Sequence, residues 1–324
     1  MTVKILVVKS SSMGDIIHAL PVVYDIKKAL PDARIDWVAE ESFKDIPTLA
    51  PGVNQVFVTA FRRWRKKPFD AGVRREIHEL KQALAAQHYD LVLDIQGLMR
   101  SALAASWTKV PVTGYSFKTV REPLAALFYK HRLALPESLG AVKRYRMAAA
   151  AALGYEMDPE PAFGLATTAL APVTLQAPYV SMAVNTSRDE KLWPEAFWVA
   201  IGQRLHELGL RSALYWGNDT ERDRVERLAA RIPEAVVVPR SGLAQTATLL
   251  AGSEAVIGVD TGLAHLGAAL GIPSVGIFVS TPTQTLRLIG DGPTLSLGGV
   301  GRCPSVDEVW TALVSVNPSL SKNS

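Results

Sequence analysis

Val259-Asp260-Thr261-Gly262-Leu263-Ala264-His265-Leu266 reads as the end of a strand, a tight turn and the start of a helix. The apolar run Ala255 to Val259 has strand length, and Leu263, Leu266 and Leu270 recur at helical spacing. Gly271-Ile272-Pro273 stops the helix, and Ser274 to Val279 is the next strand. A strand turning through Gly262 into a helix leaves unpaired N–H groups at the helix start. Together with the helix dipole, these favour a phosphate. Asp260 and Thr261 can cap the turn or bond a sugar hydroxyl. The plainer reading is an ordinary turn with a capping Asp and His265 as a satisfied structural histidine.

Working outward, the same alternation recurs on both sides. Tyr179 to Val184, Ser212 to Trp216 and Val236 to Val238 read as strands. Ala196 to Leu208, a stretch ending at Ala230, Leu243 to Leu250 and Val306 to Val316 read as helices. In the first half the strands are Lys4 to Val8, Arg34 to Val38, Val53 to Val58 and Leu91 to Ile95. Ile16 to Leu30 is an amphipathic helix with Pro21 in its first turns. Strands alternating with helices predict parallel α/β sheets, whose ligand clefts lie at the carboxyl ends of the strands. Glu156 to Pro178, with Pro159, Pro161, Pro172 and Pro178, is the best linker. The expected domains are residues 1–168 and 169–324, with the final helix a candidate to pack back on the first domain.

A chain of 324 residues suits two domains. A 48% hydrophobic and 20% charged composition is that of a globular protein, and the net charge of +4 is mildly basic. Cys303 is the sole cysteine, so neither an internal disulfide nor the usual structural zinc site can form. There is no D-x-D and no clustered His, Cys and carboxylate set, so no catalytic metal is expected. The N-terminus lacks the features of a signal peptide, and no apolar run approaches bilayer length. A cytoplasmic location is expected, with contact at a membrane surface still open.

The loop Lys9-Ser10-Ser11-Ser12-Met13-Gly14-Asp15 is neither a G-x-G-x-x-G fingerprint nor a P-loop. Asp15 borders the cleft end of the first strand and reads either as a helix cap or as a general base. Phe61-Arg62-Arg63-Trp64-Arg65-Lys66-Lys67 puts five cations in seven residues. It is either a solvated loop or a site for an anionic partner. No nucleic-acid module accompanies it, so a compact anion or an anionic lipid surface fits better than nucleic acid. Lys143, Arg144 and Arg146 are expected on an exposed helix face, without a role. In Asn185-Thr186-Ser187-Arg188-Asp189-Glu190-Lys191, small hydroxyls followed by Lys191 can hold a diphosphate. Glu221 is a ribose acceptor or a first-turn acid.

Ser11-Ser12-Met13-Gly14-Asp15, the basic run, Asp94-Ile95-Gln96-Gly97-Leu98, Arg121-Glu122-Pro123-Leu124-Ala125, Trp216-Gly217 and Val259 to His265 occur in this order. Together they resemble the ADP-heptose glycosyltransferase family over nearly the whole chain. The resemblance implies a GT-B fold, with two Rossmann-like domains facing a cleft. It also implies metal-independent, inverting transfer from ADP-L-glycero-D-manno-heptose to a Kdo residue of Kdo2-lipid A, and no cofactor. Carried over, Asp15 is the general base, its loop shaped by Ser11, Ser12 and Gly14. Arg62, Arg63, Arg65, Lys66 and Arg121 meet acceptor anions. Thr186, Ser187 and Lys191 hold the diphosphate, Lys191 also serving catalysis. Glu221 contacts ribose, and Asp260, Thr261, Gly262 and His265 complete the donor site. Ser187 keeps the hydroxyl where related enzymes carry Thr. Ser241 stands where some relatives line the adenine pocket with Met. The resemblance further implies work at the anionic cytoplasmic face of the inner membrane. The competing expectations are a heptosyltransferase for a later core acceptor, a nucleotide-dependent oxidoreductase or epimerase, and a non-catalytic nucleotide-sugar-binding protein docked on a membrane.

Overall fold

The computed structural model describes residues 2–167, 175 and 178–321. The chain divides into two compact units, Met1–Gly164 and Leu165–Ser324. The domain boundary expected between residues 168 and 169, and Pro172 of the linker, lie outside the described residues.

The first unit holds strands β1 (Lys4–Val8), β2 (Arg34–Glu40), β3 (Val53–Thr59), β4 (Leu91–Asp94), β5 (Val112–Tyr115) and β6 (Tyr129–Leu133). Its helices are α1 (Met13–Ala19), α2 (Pro21–Ala29), α3 (Phe61–Trp64), α4 (Ala71–Ala85), α5 (Met99–Ser106) and α6 (Ala141–Leu153). Among the described residues the strands form one parallel sheet in the order β3-β2-β1-β4-β5-β6. β1 lies at its centre, and Ile5, Leu6, Val7 and Val8 are all fully buried. This is why β1 reads as an unbroken apolar run rather than an alternating one.

The second unit repeats the plan with β7 (Tyr179–Ala183), β8 (Arg211–Leu214), β9 (Val236–Val237), β10 (Ala255–Val259), β11 (Ser274–Phe278) and β12 (Thr294–Gly298). Its helices are α7 (Glu195–Glu207), α8 (Asp219–Ala229), α9 (Leu243–Ala251), α10 (Gly262–Ala269), α11 (Thr283–Leu286) and α12 (Val306–Val316). The strand order is β12-β11-β10-β7-β8-β9, again parallel. In both sheets the order reverses beside the first strand, between β1 and β4 and between β7 and β10. Loops diverge at such a switch point and open a crevice at the carboxyl ends of the strands. Register brings the loops together: Val8 lies opposite Asp94, and Ala183 opposite Gly258.

Several local expectations change. The single helix expected over residues 16–30 is two, because Pro21 opens α2 at its first position and cannot donate into a continuing helix. Helix α1 starts earlier, at Met13, so Asp15 lies within its first turn. Strands β5, β6 and β12 escape the sequence pattern. β5 is short and contains Gly114, while β6 is an edge strand with mostly exposed residues and β12 an edge strand with mostly half-buried ones. The final helix, α12, packs within the second unit. Ser305 and Glu308 cap α12 reciprocally, at 2.8 and 3.2 Å. Its apolar stripe Val309, Ala312, Leu313 and Val316 joins the second unit's core with Val275 and Ile277.

Arg144 and Arg146 are not exposed. The Arg146 guanidinium donates to both Asp25 carboxylate oxygens, at 2.7 and 3.0 Å, and both side chains are buried. Arg144 donates to the carbonyls of Leu135 and Thr119. Both arginines therefore tie α6 to the rest of its unit.

Candidate active site

At the switch point of the first sheet, β1 delivers Lys9 to Ser12 and β4 delivers Ile95 to Leu98. Asp94 anchors the second loop. Its carboxylate accepts from Ser101 Oγ at 2.8 Å, Tyr129 Oη at 2.7 Å and the Gln96 and Gly97 N–H groups at 2.9 and 3.2 Å. Gln96 then spans the two loops. Its Oε1 accepts from the Ser10 and Ser11 N–H groups, at 2.5 and 3.3 Å, and its Nε2 donates to Ser11 Oγ at 3.1 Å. Arg100 also donates to Ser11 Oγ, at 2.8 Å. The backbone of the serine loop is thus held from below, and Ser12 and Asp15 stand at its open end.

The Asp15 carboxylate has three kinds of neighbour. Ser12 donates to Oδ2 through its hydroxyl at 2.8 Å and its N–H at 3.1 Å, which is the helix-cap role. Tyr145 Oη donates to Oδ1 at 3.3 Å. Lys9 Nζ lies 3.7 Å from Oδ1, with its side chain 3% exposed against 30% for Asp15. Lys9 also sits 4.7 Å from the centre of the Tyr145 ring. Burial would raise the Asp15 carboxyl, but the Lys9 charge and the Ser12 bonds outweigh it and hold the group below its ordinary value. Burial lowers the Lys9 ammonium against the pull of Asp15 and Asp94. Asp15 is therefore an oriented, ionised carboxylate at neutral pH, with one flank open to solvent. Capping and base readings are compatible: one oxygen caps while the group remains accessible. Gly14 lies in the first turn of α1.

The basic run follows β3 as the short helix α3. Its cations are not equivalent. Arg63 is held between Glu41, at 3.2 Å, and Glu76, at 2.9 Å. Arg62 lies over the Phe43 ring at 5.5 Å, and its N–H donates to Glu40 at 2.9 Å. Arg65 and Lys66 are exposed, and among the described residues no carboxylate lies within ion-pair distance of them. Arg121 is exposed in the loop after β5. That loop is fixed to the β4 loop by the Glu122 N–H donating to the Gly97 carbonyl at 3.0 Å, and the Arg121 charge is felt at Lys9.

At the second switch point the loop after β7 meets the turn after β10. Asp260 does not cap α10. Its carboxylate accepts from Lys191 Nζ at 2.5 Å and Thr281 Oγ1 at 2.8 Å, and lies 3.8 Å from His265 Nε2. Its carbonyl accepts from Thr186 Oγ1 at 3.0 Å. Burial would raise this carboxyl, yet the bonds from His265, Lys191 and Thr281 hold it far below the ordinary range. Thr261 takes the N-cap position with extended backbone, but its side chain makes no capping bond. The leading N–H groups of α10, starting at Gly262, have no carbonyl one turn back to bond. Close approach positions this turn: a Cβ on Gly267 would lie 2.6 Å from Val256, and one on Gly258 2.8 Å from Ala264 Cβ.

Three other expected residues lie along the same sheet end. Ser187 is exposed in the β7 loop. Glu221, in the first turn of α8 beyond β8, accepts from the Gly217 N–H at 2.7 Å. Ser241 Oγ lies 3.2 Å from Thr246 Oγ1, beyond β9. Lys9, Gln96, Tyr145 and Thr281 were not singled out in the sequence. Lys9 and Gln96 lie inside quoted stretches, while Tyr145 and Thr281 carry no local signal. Among the described residues no group of three His, Cys, Asp or Glu side chains is placed to hold a metal ion.

Two doubly wound parallel units in tandem, with charged and hydroxyl groups gathered at each switch point, define the GT-B class of nucleotide-sugar-dependent glycosyltransferases. The model of glycosyltransferase family 9 (heptosyltransferase) matches residues 77–309, and the chain belongs to that family. It is 42% identical over 281 residues to lipopolysaccharide heptosyltransferase 1 of Pseudomonas aeruginosa, across 86% of this chain and 79% of that protein. It is 38% identical over 281 residues to lipopolysaccharide heptosyltransferase 1 of Escherichia coli K12, across 86% of this chain and 88% of that protein. The structure of E. coli heptosyltransferase WaaC with ADP-2-deoxy-2-fluoro heptose matches with a TM-score of 0.82 at 35% identity, over 99% of this chain and 100% of that one. E. coli ADP-heptose lps heptosyltransferase II shares the fold, with a TM-score of 0.76 at 18% identity over 98% of this chain and 99% of that one.

Proposed function

We propose that this glycosyltransferase moves L-glycero-D-manno-heptose from ADP-heptose to a Kdo residue of Kdo2-lipid A. In this reading the first unit binds the acceptor and the second the donor. The observation that supports it most is that the groups assigned to base and to diphosphate each sit at the switch point of their own sheet. The relatives named lipopolysaccharide heptosyltransferase 1, and the heptosyltransferase solved with ADP-2-deoxy-2-fluoro heptose, supply the substrate class.

Asp15 takes the proton from the acceptor hydroxyl as its oxygen attacks the anomeric carbon from the face opposite ADP. The bond from that carbon to the β-phosphate oxygen breaks, and the configuration inverts from β to α. Negative charge then grows on the β-phosphate. Lys191 and the start of α10 meet that charge, with Asp260 holding Lys191 in place until the diphosphate arrives. Thr186 and Ser187 bond diphosphate oxygens, Glu221 the ribose, and Ser241 borders the base. Arg62, Arg65, Lys66 and Arg121 meet the carboxylate and phosphates of the acceptor. Arg63 joins them only by exchanging one of its two glutamates for the ligand.

Among the described residues no helix is long and apolar enough to cross a membrane. In this reading the lipid-linked acceptor brings the enzyme to the inner-membrane surface as a peripheral protein. The test is ADP release from ADP-heptose, with and without Kdo2-lipid A. Release that requires the acceptor establishes the transfer. Binding of ADP-heptose without release, with this acceptor or a heptosylated one, overturns it.

A further inference from the structure

The segment between β5 and β6 carries apolar side chains outward. Pro123–Phe128 is a 3-10 helix. At three residues per turn, Leu124 and Leu127 stack on one face. They are 61% and 64% exposed, while Ala125 and Ala126 between them are buried. Phe117, earlier in the segment, is 45% exposed. The Arg132 guanidinium lies 4.9 Å from the centre of the Phe117 ring and donates to the Ala126 carbonyl at 3.0 Å. One cation thus joins Phe117, the leucine ridge and β6 into a single fixed element. A fixed and exposed apolar ridge marks a contact surface more strongly than scattered exposed side chains do.

The surroundings of this ridge are cationic. Lys118, Arg121, Lys130 and Arg132 are all exposed, against the single acid Glu122. Glu122 is already engaged, accepting from the Met99 N–H at 2.6 Å. A second such place follows β3, where Phe69 is 86% exposed just after Arg65, Lys66 and Lys67. β3 and β5 run parallel in one sheet, so both loops leave the same sheet end as the Asp15 loop; the segment after β5 then crosses toward the other end, where Tyr129 opens β6 opposite Val112. Four strand spacings separate β3 from β5, about 19 Å.

We propose that Phe117, Leu124 and Leu127 enter the head-group region of an anionic bilayer while the surrounding cations meet lipid phosphates. The proposal rests on the reading of a lipid-linked acceptor. Charge decides the occupant. A second copy of the chain, meeting this face about a two-fold axis, would oppose cation to cation. An anionic bilayer satisfies the apolar tips and the cations together.

The test is flotation with vesicles of phosphatidylglycerol and phosphatidylethanolamine, and with vesicles of phosphatidylcholine alone. The parent protein is expected to float with the first and not the second. Leu124→Ser/Leu127→Ser should lose about tenfold or more of that partitioning. It should keep its melting temperature, its ADP affinity and its turnover on a deacylated, water-soluble Kdo acceptor. If that variant does not fold, Lys118→Glu/Lys130→Glu should show the same loss. Variants that float like the parent overturn the proposal. So does equal flotation with neutral vesicles, or a parent dimer that the leucine substitutions dissolve. Flotation without ADP release on either acceptor would instead retain the surface and sink the heptosyl-transfer reading.

Discussion

Lys191 Nζ lies 2.5 Å from Asp260 Oδ2, joining the loop after β7 to the turn after β10. Both side chains are largely buried, so the pair is poorly screened. It presets the position of the cation that the proposed mechanism needs at the leaving diphosphate. Lys191→Ala should lower kcat by roughly a hundred- to a thousand-fold, the usual cost of removing a donor aimed at developing charge. The melting temperature should also fall, because the buried Asp260 carboxylate loses one partner, while Thr281 and His265 still face it. Single-turnover ADP release checks this, and a kcat within threefold of the parent would remove Lys191 from the chemistry.

Asp15→Asn keeps the shape of the side chain and removes its basicity. Turnover should fall about a hundred- to ten-thousand-fold, with ADP affinity and circular dichroism unchanged. Near-parental turnover would leave Asp15 as a helix cap alone.

The pH dependence follows from Lys9. Asp15 lies below its ordinary value because Lys9 and Ser12 outweigh burial. Activity that requires the carboxylate is therefore retained as pH falls and lost only below the ordinary aspartate range of about 3.9. Lys9→Met removes the charge and leaves burial unopposed by it. The acid limb of kcat/KM should then move to higher pH, and a limb that stays in place would exclude electrostatic tuning by Lys9.

Asp260 carries a stability signature. Its carboxyl is far lower in the folded chain than the unfolded value of about 3.9. The stabilisation is therefore complete above that value and is lost as pH falls below it toward the folded value. Urea unfolding between pH 5 and pH 2 should show the parent losing stability more steeply than Asp260→Asn. Parallel curves would contradict the assignment.

In the first unit, Asp25→Ala should cost about 3–5 kcal/mol, because it strands the buried Arg146 guanidinium. The melting temperature of the variant is the measurement. A loss below 1 kcal/mol would mean that water reaches the site, which its burial argues against.

The parallel α/β architecture was legible because the central strands are buried on both faces. Ile5 to Val8 and Ala255 to Val259 are continuous apolar runs, a pattern written in local composition. The edge strands β6 and β12 were not legible, since their residues, Tyr129-Lys130-His131-Arg132-Leu133 and Thr294-Leu295-Ser296-Leu297-Gly298, mix polar with apolar and form no apolar run. The loops that carry Asp15, Lys191 and Asp260 could be located from the ends of those runs. Their partners could not. Tyr145 lies 130 residues from Asp15, and Thr281 lies 21 from Asp260. No periodicity links residues that meet only through the sheet.

By itself, then, the sequence determined which segments bury themselves as strands and helices, where each strand hands over to a loop, and which family motifs those loops carry. Burial and hydrogen-bond periodicity are local properties of a chain. Tertiary structure alone decided which charges are free and which are spent. Arg63 is taken up by Glu41 and Glu76, and Arg146 by Asp25, while Arg65 and Lys66 face water without such a partner. A side chain's charge state and reach depend on the field of neighbours distant in sequence, and only the folded arrangement of elements supplies that field.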